Sequence, residues 1–394
     1  MPSNHSEAMP QVPEPRPPIS LFERWRDWRN RTIARPEFQR WAAAFPLTRP
    51  TARRHARELF DLLAGFVYSQ VLLACVRLNL FEVLADGALP VDTLAERIKL
   101  NPQATRRLLA AAAALQLVEL RSGDRVALGR LGAPLVGNRA ITSMVEHHAT
   151  LYGDLADPVA LLRGEGGEPA MAGYWPYAAA AGSAVSPAAL APERVAEYSA
   201  LMTASQPLVA REVLDAYRFD RHRVLLDVGG GEGAFLSAVA ARAPDLSLIL
   251  FDLPAVANLA QARFAASGLA DRTHCFGGDF FNDTLPSGAD IVSLIRIAFD
   301  HPDERVLQLL KNVRRALPEH GTVLLAEPMS DVPGVEAMGD AYFGFYLLAM
   351  GRGRPRSAAQ LSSLLVEAGF DAGRSVPTRM PLQTGLLVAR CRPA

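Results

Sequence analysis

The sequence contains few cysteines and few lysines. Its 394 residues include three cysteines, at positions 75, 275 and 391, which lie far apart and share no metal-ligand spacing. We therefore expect these cysteines to be unpaired and buried, to pack like small hydrophobic side chains, and to lie in a reducing compartment. We predict no metal site. Lysine occurs at Lys99 and Lys311, and arginine supplies the remaining positive charge. Since 41 basic residues balance 41 acidic residues, the composition argues against a general affinity for nucleic acid.

The N-terminal region lacks the apolar segment of a signal peptide. Residues 1–20 are polar and proline-rich, which predicts a disordered tail. The apolar runs elsewhere are shorter than the roughly 20 residues that a membrane span needs. The sequence thus predicts a protein that is soluble or bound to a membrane surface.

A basic segment follows the tail. Residues 21–58 contain ten arginines and four acidic residues, with Trp25, Trp28 and Trp41 between them. One interpretation is a solvated helical arm whose tryptophans pack on the body of the protein. The other is an interfacial segment, in which arginines contact lipid headgroups and tryptophans lie at the membrane boundary. The second interpretation predicts a peripheral membrane contact.

Residues 59–200 have the pattern of a mostly helical, winged-helix domain, beginning with a long apolar helix. Asn101 provides an N-cap, and Pro102 occupies the first position of a later helix. A Ser-Gly-Asp turn at 122–124 separates two short apolar runs, which indicates a hairpin. The predicted elements are helices at 91–98 and 102–115 and strands at 118–120 and 126–128.

Winged helices often bind DNA, so a transcriptional regulator is one alternative. The helix in the recognition position contains Arg106 and Arg107 but continues with leucine and alanine to residue 115. A helix that reads the major groove needs polar side chains on its outer face. The domain is therefore predicted to serve dimerisation or substrate framing, without a nucleic-acid partner.

Residues 201–394 alternate between strand and helix patterns. This alternation predicts an α/β fold with a doubly wound, Rossmann-like parallel sheet. The predicted strands are 224–228, 248–251, 274–276, 291–295, 322–326 and 386–389.

A glycine-rich loop follows the first of these strands. Gly229, Gly231 and Gly233 allow the backbone to approach a ligand closely, and the loop opens a helix. With Ala234 the pattern also fits a dinucleotide fingerprint. An NAD-dependent oxidoreductase is therefore a second alternative.

Acidic residues around the loop favour S-adenosylmethionine over a dinucleotide. Asp227 precedes the glycines within the strand, where a carboxylate suits the ammonium of a methionine moiety but not a pyrophosphate. Asp252 ends the second strand and suits the ribose hydroxyls of either cofactor. Asp279 and Phe280 follow the third strand and suit the adenine amine and ring.

The chain resembles the dimeric small-molecule O-methyltransferases, which join a winged-helix dimerisation domain to a Rossmann-like methyltransferase domain. The resemblance covers roughly residues 59–394 and rests on residues 225–235, 251–254, 278–281, 300–304 and 321–328. Within this group, the chain most resembles the hydroxycarotenoid O-methyltransferases of phototrophic bacteria. Residues 25–31, 65–70 and 299–303 carry that likeness.

This resemblance implies a homodimer that transfers a methyl group from S-adenosylmethionine to the tertiary 1-hydroxyl of an acyclic carotenoid. It places cofactor contacts at Gly229, Asp252, Asp279 and Phe280. It adds Met202, Ser205 and Arg296 near the cofactor. It also implies a cytoplasmic enzyme that contacts the inner, photosynthetic membrane through the basic arm.

The sequence departs from the family where a histidine base is expected. Phe299 occupies that position, and His301 lies two residues further on. Of two further family acids, Glu327 is kept, but Pro355 replaces the other. We predict Phe299 as part of an apolar substrate wall, with His301 or Glu327 accepting the proton late. A structural role for His301 at the exit of the strand remains the alternative.

Candidate substrate residues lie in two helical segments. The pair His147 and His148 falls where the family lines its substrate pocket, and we name His148 as the candidate. Met338 and Tyr342 belong to an aromatic segment that faces the acceptor substrate in the family. An O-methyltransferase of an aromatic or polyketide hydroxyl remains the alternative within the class, and Phe299 argues against it.

Overall fold

A computed structural model describes the chain at residues 20–172, 206–334, 336–379 and 384–393. It forms two compact units, which are described separately: Met1–Ala74 and Cys75–Ala394. The predicted disordered tail lies outside the described residues except for Ser20.

The first unit is helical, as predicted for the basic arm. Helix α1 is Leu21–Ile33 and begins with a capping box, in which Ser20 and Glu23 exchange side-chain to backbone hydrogen bonds. Helix α2 is Pro36–Ala44, and proline starts it without losing a hydrogen bond. Helix α3 is Arg49–Arg77, so it runs without a break through the predicted domain boundary at residue 58.

Two observations bear on the interpretations of the basic arm. Trp25, Trp28 and Trp41 are each at least half exposed, which argues against the interpretation in which they pack on the body of the protein. Helix α3 has 29 residues and is long and apolar enough to cross a membrane by length and composition. The uninterrupted apolar runs within this helix are shorter than the helix itself, because polar and charged residues stand between them. One such helix is weak support for a span.

The second unit begins with the predicted winged-helix domain. Its hairpin joins β2 and β3, and β1 pairs with β3 on the other side. The Asn101 side chain accepts a hydrogen bond of 2.8 Å from the Ala104 amide, so the predicted N-cap is confirmed. Its elements are α4 (Leu80–Val83), β1 (Leu89–Pro90), α5 (Val91–Arg97), α6 (Pro102–Ala114), β2 (Val118–Arg121) and β3 (Arg125–Leu128).

Helix α6 packs as a structural helix and does not present a reading face. Thr105, Leu109 and Ala112 are buried. Arg106 forms a bidentate pair with Asp124 of the hairpin, with both N···O distances 2.7 Å. The arginine that a DNA-reading helix would have offered thus holds the hairpin to the helix. Helices α7 (Arg139–Asp154), α8 (Pro158–Arg163) and α9 (206–216) follow.

The C-terminal domain contains a seven-stranded sheet in the order β11-β12-β8-β7-β4-β5-β6. All six predicted strands are present. The strands are β4 (Val224–Val228), β5 (Ser247–Asp252), β6 (Thr273–Gly277), β7 (Ile291–Ile295), β8 (Thr322–Glu327), β11 (Arg374–Val376) and β12 (Gly385–Arg390), with a separate two-stranded pair of β9 (Met329–Ser330) and β10 (Arg356–Ser357).

The sequence pattern predicts a parallel sheet, but the sheet in the structure is mixed. Strand β12 runs antiparallel to both β8 and β11. Only residues 377–384 join β11 to β12, and neighbouring strands joined by so short a link must be antiparallel.

Helices cover both faces of the sheet, and β7 is buried along its whole length. They are α10 (Ala234–Arg242), α11 (Pro254–Ala266), α12 (Asp303–Ala316) and α14 (Ala358–Glu367), while a π-helix (Ala337–Phe343) and α13 (Gly344–Ala349) lie between β9 and β10. The strand order reverses beside β4, which pairs with β5 on one side and β7 on the other. Such a reversal opens a ligand crevice at the carboxyl ends of the strands.

Candidate active site

The glycine loop leaves β4 at this reversal. Gly229, Gly231 and Gly233 have φ angles of +70°, +59° and +78°, a region that side chains other than glycine rarely adopt. The Gly231 amide donates a 2.8 Å hydrogen bond to Asp252 at the end of β5. The loop is therefore held in shape by a residue that was itself predicted to contact the cofactor.

Gly229 lies against the exit of β7. A Cβ added there would stand 2.5 Å from Ile297 Cδ1 and 3.6 Å from Phe280 Cε1. The structure thus brings together two predicted cofactor residues, Gly229 and Phe280. Ile297 packs so closely against the bare backbone of Gly229 that no side chain would fit there.

Asp227 lies beneath the loop. Its side chain is 1% exposed, and Oδ1 accepts a 2.6 Å hydrogen bond from Ser293 on β7. Oδ2 has no hydrogen-bond partner among the described residues. Burial raises the pKa of Asp227 to about 7, against the lowering effect of the Ser293 bond and with a further raising effect of Asp252. Direct pairing with a ligand ammonium stays a prediction.

Asp252 ends β5 and holds two backbone amides. Beside Gly231, its Oδ1 accepts a 2.7 Å bond from Leu253. Burial nevertheless raises its pKa, against the lowering effect of these bonds. Each carboxylate oxygen retains accepting capacity, so the predicted ribose contact stays compatible with this geometry.

Asp279 stabilises its own turn after β6. Its carboxylate accepts bonds from the Phe281 amide, at 2.9 Å, and from the Asn282 side chain, at 2.6 Å. The ring of Phe280 packs edge to face on Phe281, with centroids 4.6 Å apart. The adenine contacts predicted for Asp279 and Phe280 remain predictions.

The turn after β7 is fixed from β8. Glu327 is 1% exposed, and its Oε1 accepts bonds of 3.0 and 2.7 Å from the Ile297 and Ala298 amides. Burial raises the pKa of Glu327 to about 7, although these amides lower it. Arg296 has a φ of +60° and donates its amide to Ala326 at 2.8 Å. Glu327 therefore holds this turn, and its predicted role as proton acceptor is untested.

Phe299 lies in an apolar cluster. It is 6% exposed, and its ring centroid is 6.4 Å from that of Phe343. The buried members of the cluster are Leu151, Met171, Phe299, Tyr346, Leu347, Ala349 and Met350. The position where the family has a histidine is thus built into an apolar wall.

Asp300 follows Phe299 and was not among the predicted site residues. It is 5% exposed, and neither carboxylate oxygen has a hydrogen-bond partner among the described residues. Burial, and then the charge of Glu327, raise the pKa of Asp300 well above its ordinary value, while Arg296 lowers it. A carboxyl group in an otherwise apolar turn was the sequence signal for this residue.

His301 packs beside Phe281 and Phe280, with ring centroids 4.9 and 5.9 Å away. Its pKa is lowered to about 4, first by burial and then by Arg305 and other arginines. The imidazole is therefore neutral at pH 7 and has a lone pair that can take a proton. Its predicted catalytic role stays a prediction.

Two candidate substrate residues contact each other. His148 Nε2 and the Tyr342 hydroxyl lie 2.7 Å apart, and His147 Nε2 lies 2.9 Å from the Tyr346 hydroxyl. Burial lowers the pKa of both histidines. Tyr342 and Met338 belong to the π-helix, a form that is frequent at functional sites.

Two predicted cofactor residues, Met202 and Ser205, lie outside the described residues. Within the described part of the chain, no group of three His, Cys, Asp or Glu side chains is arranged to hold a metal ion.

Two family profiles match the chain. The profile of the O-methyltransferase domain matches residues 152–371, and that of the O-methyltransferase dimerisation domain matches residues 60–136. The chain belongs to the O-methyltransferase family. Membership makes it a methyltransferase that uses S-adenosylmethionine, and the dimerisation domain supports a homodimer. The oxidoreductase and transcriptional-regulator alternatives are therefore wrong.

Characterised relatives cover almost the whole chain. Demethylspheroidene O-methyltransferase of Cereibacter sphaeroides is 44% identical over 352 residues, which are 89% of this chain and 91% of the relative. The enzyme of the same name from Rhodobacter capsulatus is 40% identical over 87% of this chain and 84% of its own length. The crystal structure of CalO1, a methyltransferase in calicheamicin biosynthesis with SAH bound, is 28% identical, with a TM-score of 0.71, and covers 86% of this chain and 98% of that one.

The residues around the reversal point fit such a cofactor. Beside Gly231 an added Cβ would meet no atom within 4 Å, so the loop has open space there, and the buried Asp227 Oδ2 has no hydrogen-bond partner among the described residues. Gly229, Gly231, Asp252 and Phe280 surround the same crevice and would hold the adenosyl and methionine parts.

Proposed function

We propose that the protein methylates the tertiary 1-hydroxyl of an acyclic hydroxycarotenoid. The observation that carries the proposal is the 44% identity, over nine-tenths of the chain, to an enzyme named demethylspheroidene O-methyltransferase. The apolar cluster around Phe299 supports it, because a polyene needs a long apolar lining.

The chemistry of the acceptor agrees with the loss of the histidine. When bound, S-adenosylmethionine supplies a methyl group on a good leaving group. The chain then has to align a hydroxyl with that methyl and exclude water. A tertiary alcohol is a much weaker acid than a phenol, so an imidazole would gain little by removing its proton beforehand. Phe299 instead adds apolar surface to the wall.

The proton still has to leave the oxygen once the new bond forms. The oxygen then carries two carbon substituents and its proton, and such a protonated ether is strongly acidic, so a weak base suffices. His301, Glu327 and Asp300 lie within one turn or contact it, and each has a pKa shifted by burial toward its neutral form. Neutral His301 can accept the proton directly through its free lone pair. Glu327 or Asp300 can accept it only as the carboxylate, whose basicity the raised pKa increases.

The test is incubation with radiolabelled S-adenosylmethionine and either an acyclic 1-hydroxycarotenoid in detergent or a simple phenol. We expect label in the carotenoid. Label in the phenol alone would refute the proposal and favour an aromatic acceptor. The Phe299→His variant is the informative companion: it should lose carotenoid turnover while retaining cofactor binding, because a polar ring interrupts the wall.

The proton acceptor is tested by His301→Ala, Glu327→Gln and Asp300→Asn, each assayed for kcat as a function of pH. Activity of His301→Ala near that of the wild type would remove His301 from the mechanism. Calorimetric binding of the cofactor controls for folding of each variant.

A further inference from the structure

We infer that helix α1, together with α2 and the residues up to Leu47, forms a binding surface for an anionic lipid bilayer. No residue of α1 is buried. Leu21 is 82% exposed, Phe22 64%, Trp25 50% and Trp28 59%. Large apolar side chains that stand together in water indicate a surface that something covers. This inference does not depend on which hydroxyl the enzyme methylates.

The sequence of α1 sorts its side chains by side. At 3.6 residues per turn, Leu21, Trp25 and Trp28 fall on one side, and Phe22 lies beside them. The acidic Glu23 falls on the opposite side of the helix. An amphipathic helix that lies in a membrane interface has this distribution, with its acids turned toward water.

Arginines lie at both borders of the apolar side and at one position within it. Arg24 and Arg31 lie along one border, Arg26 lies along the other, and Arg29 falls between Trp25 and Phe22. The guanidinium of Arg26 stands 5.7 Å from the centroid of the Phe22 ring, and that of Arg29 stands 5.3 Å from the Trp25 ring. Guanidinium groups held at the edge of an aromatic face match a phosphate layer above a hydrocarbon layer.

Helix α2 and the residues after it carry a second group of exposed apolar side chains. Its Trp41 stacks on Phe45 with centroids 5.2 Å apart, and the two are 52% and 39% exposed. Leu47, which follows, is 82% exposed. Tryptophans with an apolar body and a polar N–H are typical of the membrane interface.

Charge complementarity selects an anionic bilayer. The arm at 21–58 has ten arginines and four acids, whereas the whole chain balances 41 basic against 41 acidic residues. The rest of the chain is therefore net acidic, and the positive charge is concentrated where the apolar side chains are exposed. A nucleic acid would use the arginines but leave the apolar side of α1 uncovered.

A second copy of the chain accounts for a different surface. The dimerisation profile begins at residue 60, within α3, and excludes α1 and α2. Exposed apolar residues of α3, such as Leu62 and Phe66, lie inside that profile and belong to the expected contact between protomers. The surface of α1 and α2 is left for another occupant.

Binding is tested by co-sedimentation of the full-length protein with vesicles of phosphatidylcholine, with and without phosphatidylglycerol. We expect pelleting with the anionic vesicles and a marked loss in 0.5 M salt, since salt screens surface charge. A triple variant, Phe22→Ser, Trp25→Ser and Trp28→Ser, should reduce the partition coefficient at least tenfold. The matched control, Asn30→Ser on the opposite side, changes no charge and should leave it unchanged.

Intrinsic fluorescence gives an independent readout, because three of the four tryptophans lie in this arm. Anionic vesicles should shift the emission of the wild type to the blue, and brominated lipids should quench it. Circular dichroism and calorimetric cofactor binding check that the variants fold. Equal pelleting of the wild type and the triple variant would overturn the inference. The inference would also be overturned if light scattering found the triple variant monomeric while its vesicle binding was unchanged. That result would assign the surface to a contact between protomers.

Discussion

The buried carboxyl of Asp227 predicts that cofactor affinity depends on pH. Its pKa is raised to about 7, chiefly by burial. In the protein without ligand, the folded state retains a proton that the unfolded chain releases above its ordinary pKa of 3.8. The contribution of Asp227 to stability therefore falls as the pH rises from about 4 to about 7. A cation in the crevice reverses this preference, because it stabilises the carboxylate.

The magnitude follows from the fraction ionised. A group with a pKa near 7 is about nine-tenths ionised at pH 8 and about one-tenth ionised at pH 6. If S-adenosylmethionine binds the carboxylate form, its Kd should be about tenfold higher at pH 6 than at pH 8. Calorimetry at pH 6.5 in two buffers of different ionisation enthalpy should detect a proton released on binding.

The variants separate this carboxyl from its neighbours. Asp227→Asn should bind more weakly, with the pH dependence and the proton release both lost. Ser293→Ala removes the bond that lowers the pKa of Asp227, so it should move the transition to higher pH. Glu327→Gln should leave the proton release intact, although Glu327 also has a pKa near 7. Equal Kd values at pH 6 and pH 8 in the wild type would refute the reasoning.

Two matched pairs of variants test how the site is held. Gly233 and Gly268 both have positive φ angles, +78° and +70°, so alanine at either should cost about 1–2 kcal/mol in backbone strain. Only at Gly233 would the new Cβ meet the ring of Phe264. In urea unfolding, the Gly233→Ala variant should therefore be less stable than the Gly268→Ala variant by a further ~1–3 kcal/mol. Equal losses of stability would show that the ring moves aside. Arg356→Met leaves the carbonyls of Ala298 and His301 without their buried donor and should lose about 3–5 kcal/mol. Arg354→Met, at a side chain that is 46% exposed, should lose less than ~1 kcal/mol in the same urea experiment, and similar losses would contradict this role of Arg356.

Strands and caps were predictable because their signals are local. The hairpin at 122–124 and the cap at Asn101 depend on residues within a few positions of each other, and both are confirmed. The direction of β12 was not predictable, because a buried apolar run has the same pattern whether it is parallel or antiparallel. The short link before it was the signal that could have corrected the prediction.

The site was predictable where the chain order fixes it. The strand ends that carry Asp227 and Asp252 meet because neighbouring parallel strands end at one edge of the sheet. The contact between His148 and Tyr342 joins residues 194 positions apart, and only their shared role in the family pointed to both. Asp300 was missed although its carboxyl group stands out in the sequence of the turn, because only packing shows that it is buried without a hydrogen-bond partner among the described residues.

The turn after β7 explains why a phenylalanine in it changes chemistry and not merely shape. Glu327 holds the start of the turn through two amides, and Arg356 holds its middle and end through the carbonyls of Ala298 and His301. The backbone position of residue 299 is thus fixed from both sides. With that position fixed, replacing an imidazole by a phenyl ring removes a base and adds apolar surface at one place. Such an exchange suits an acceptor whose proton is lost only after the methyl group arrives.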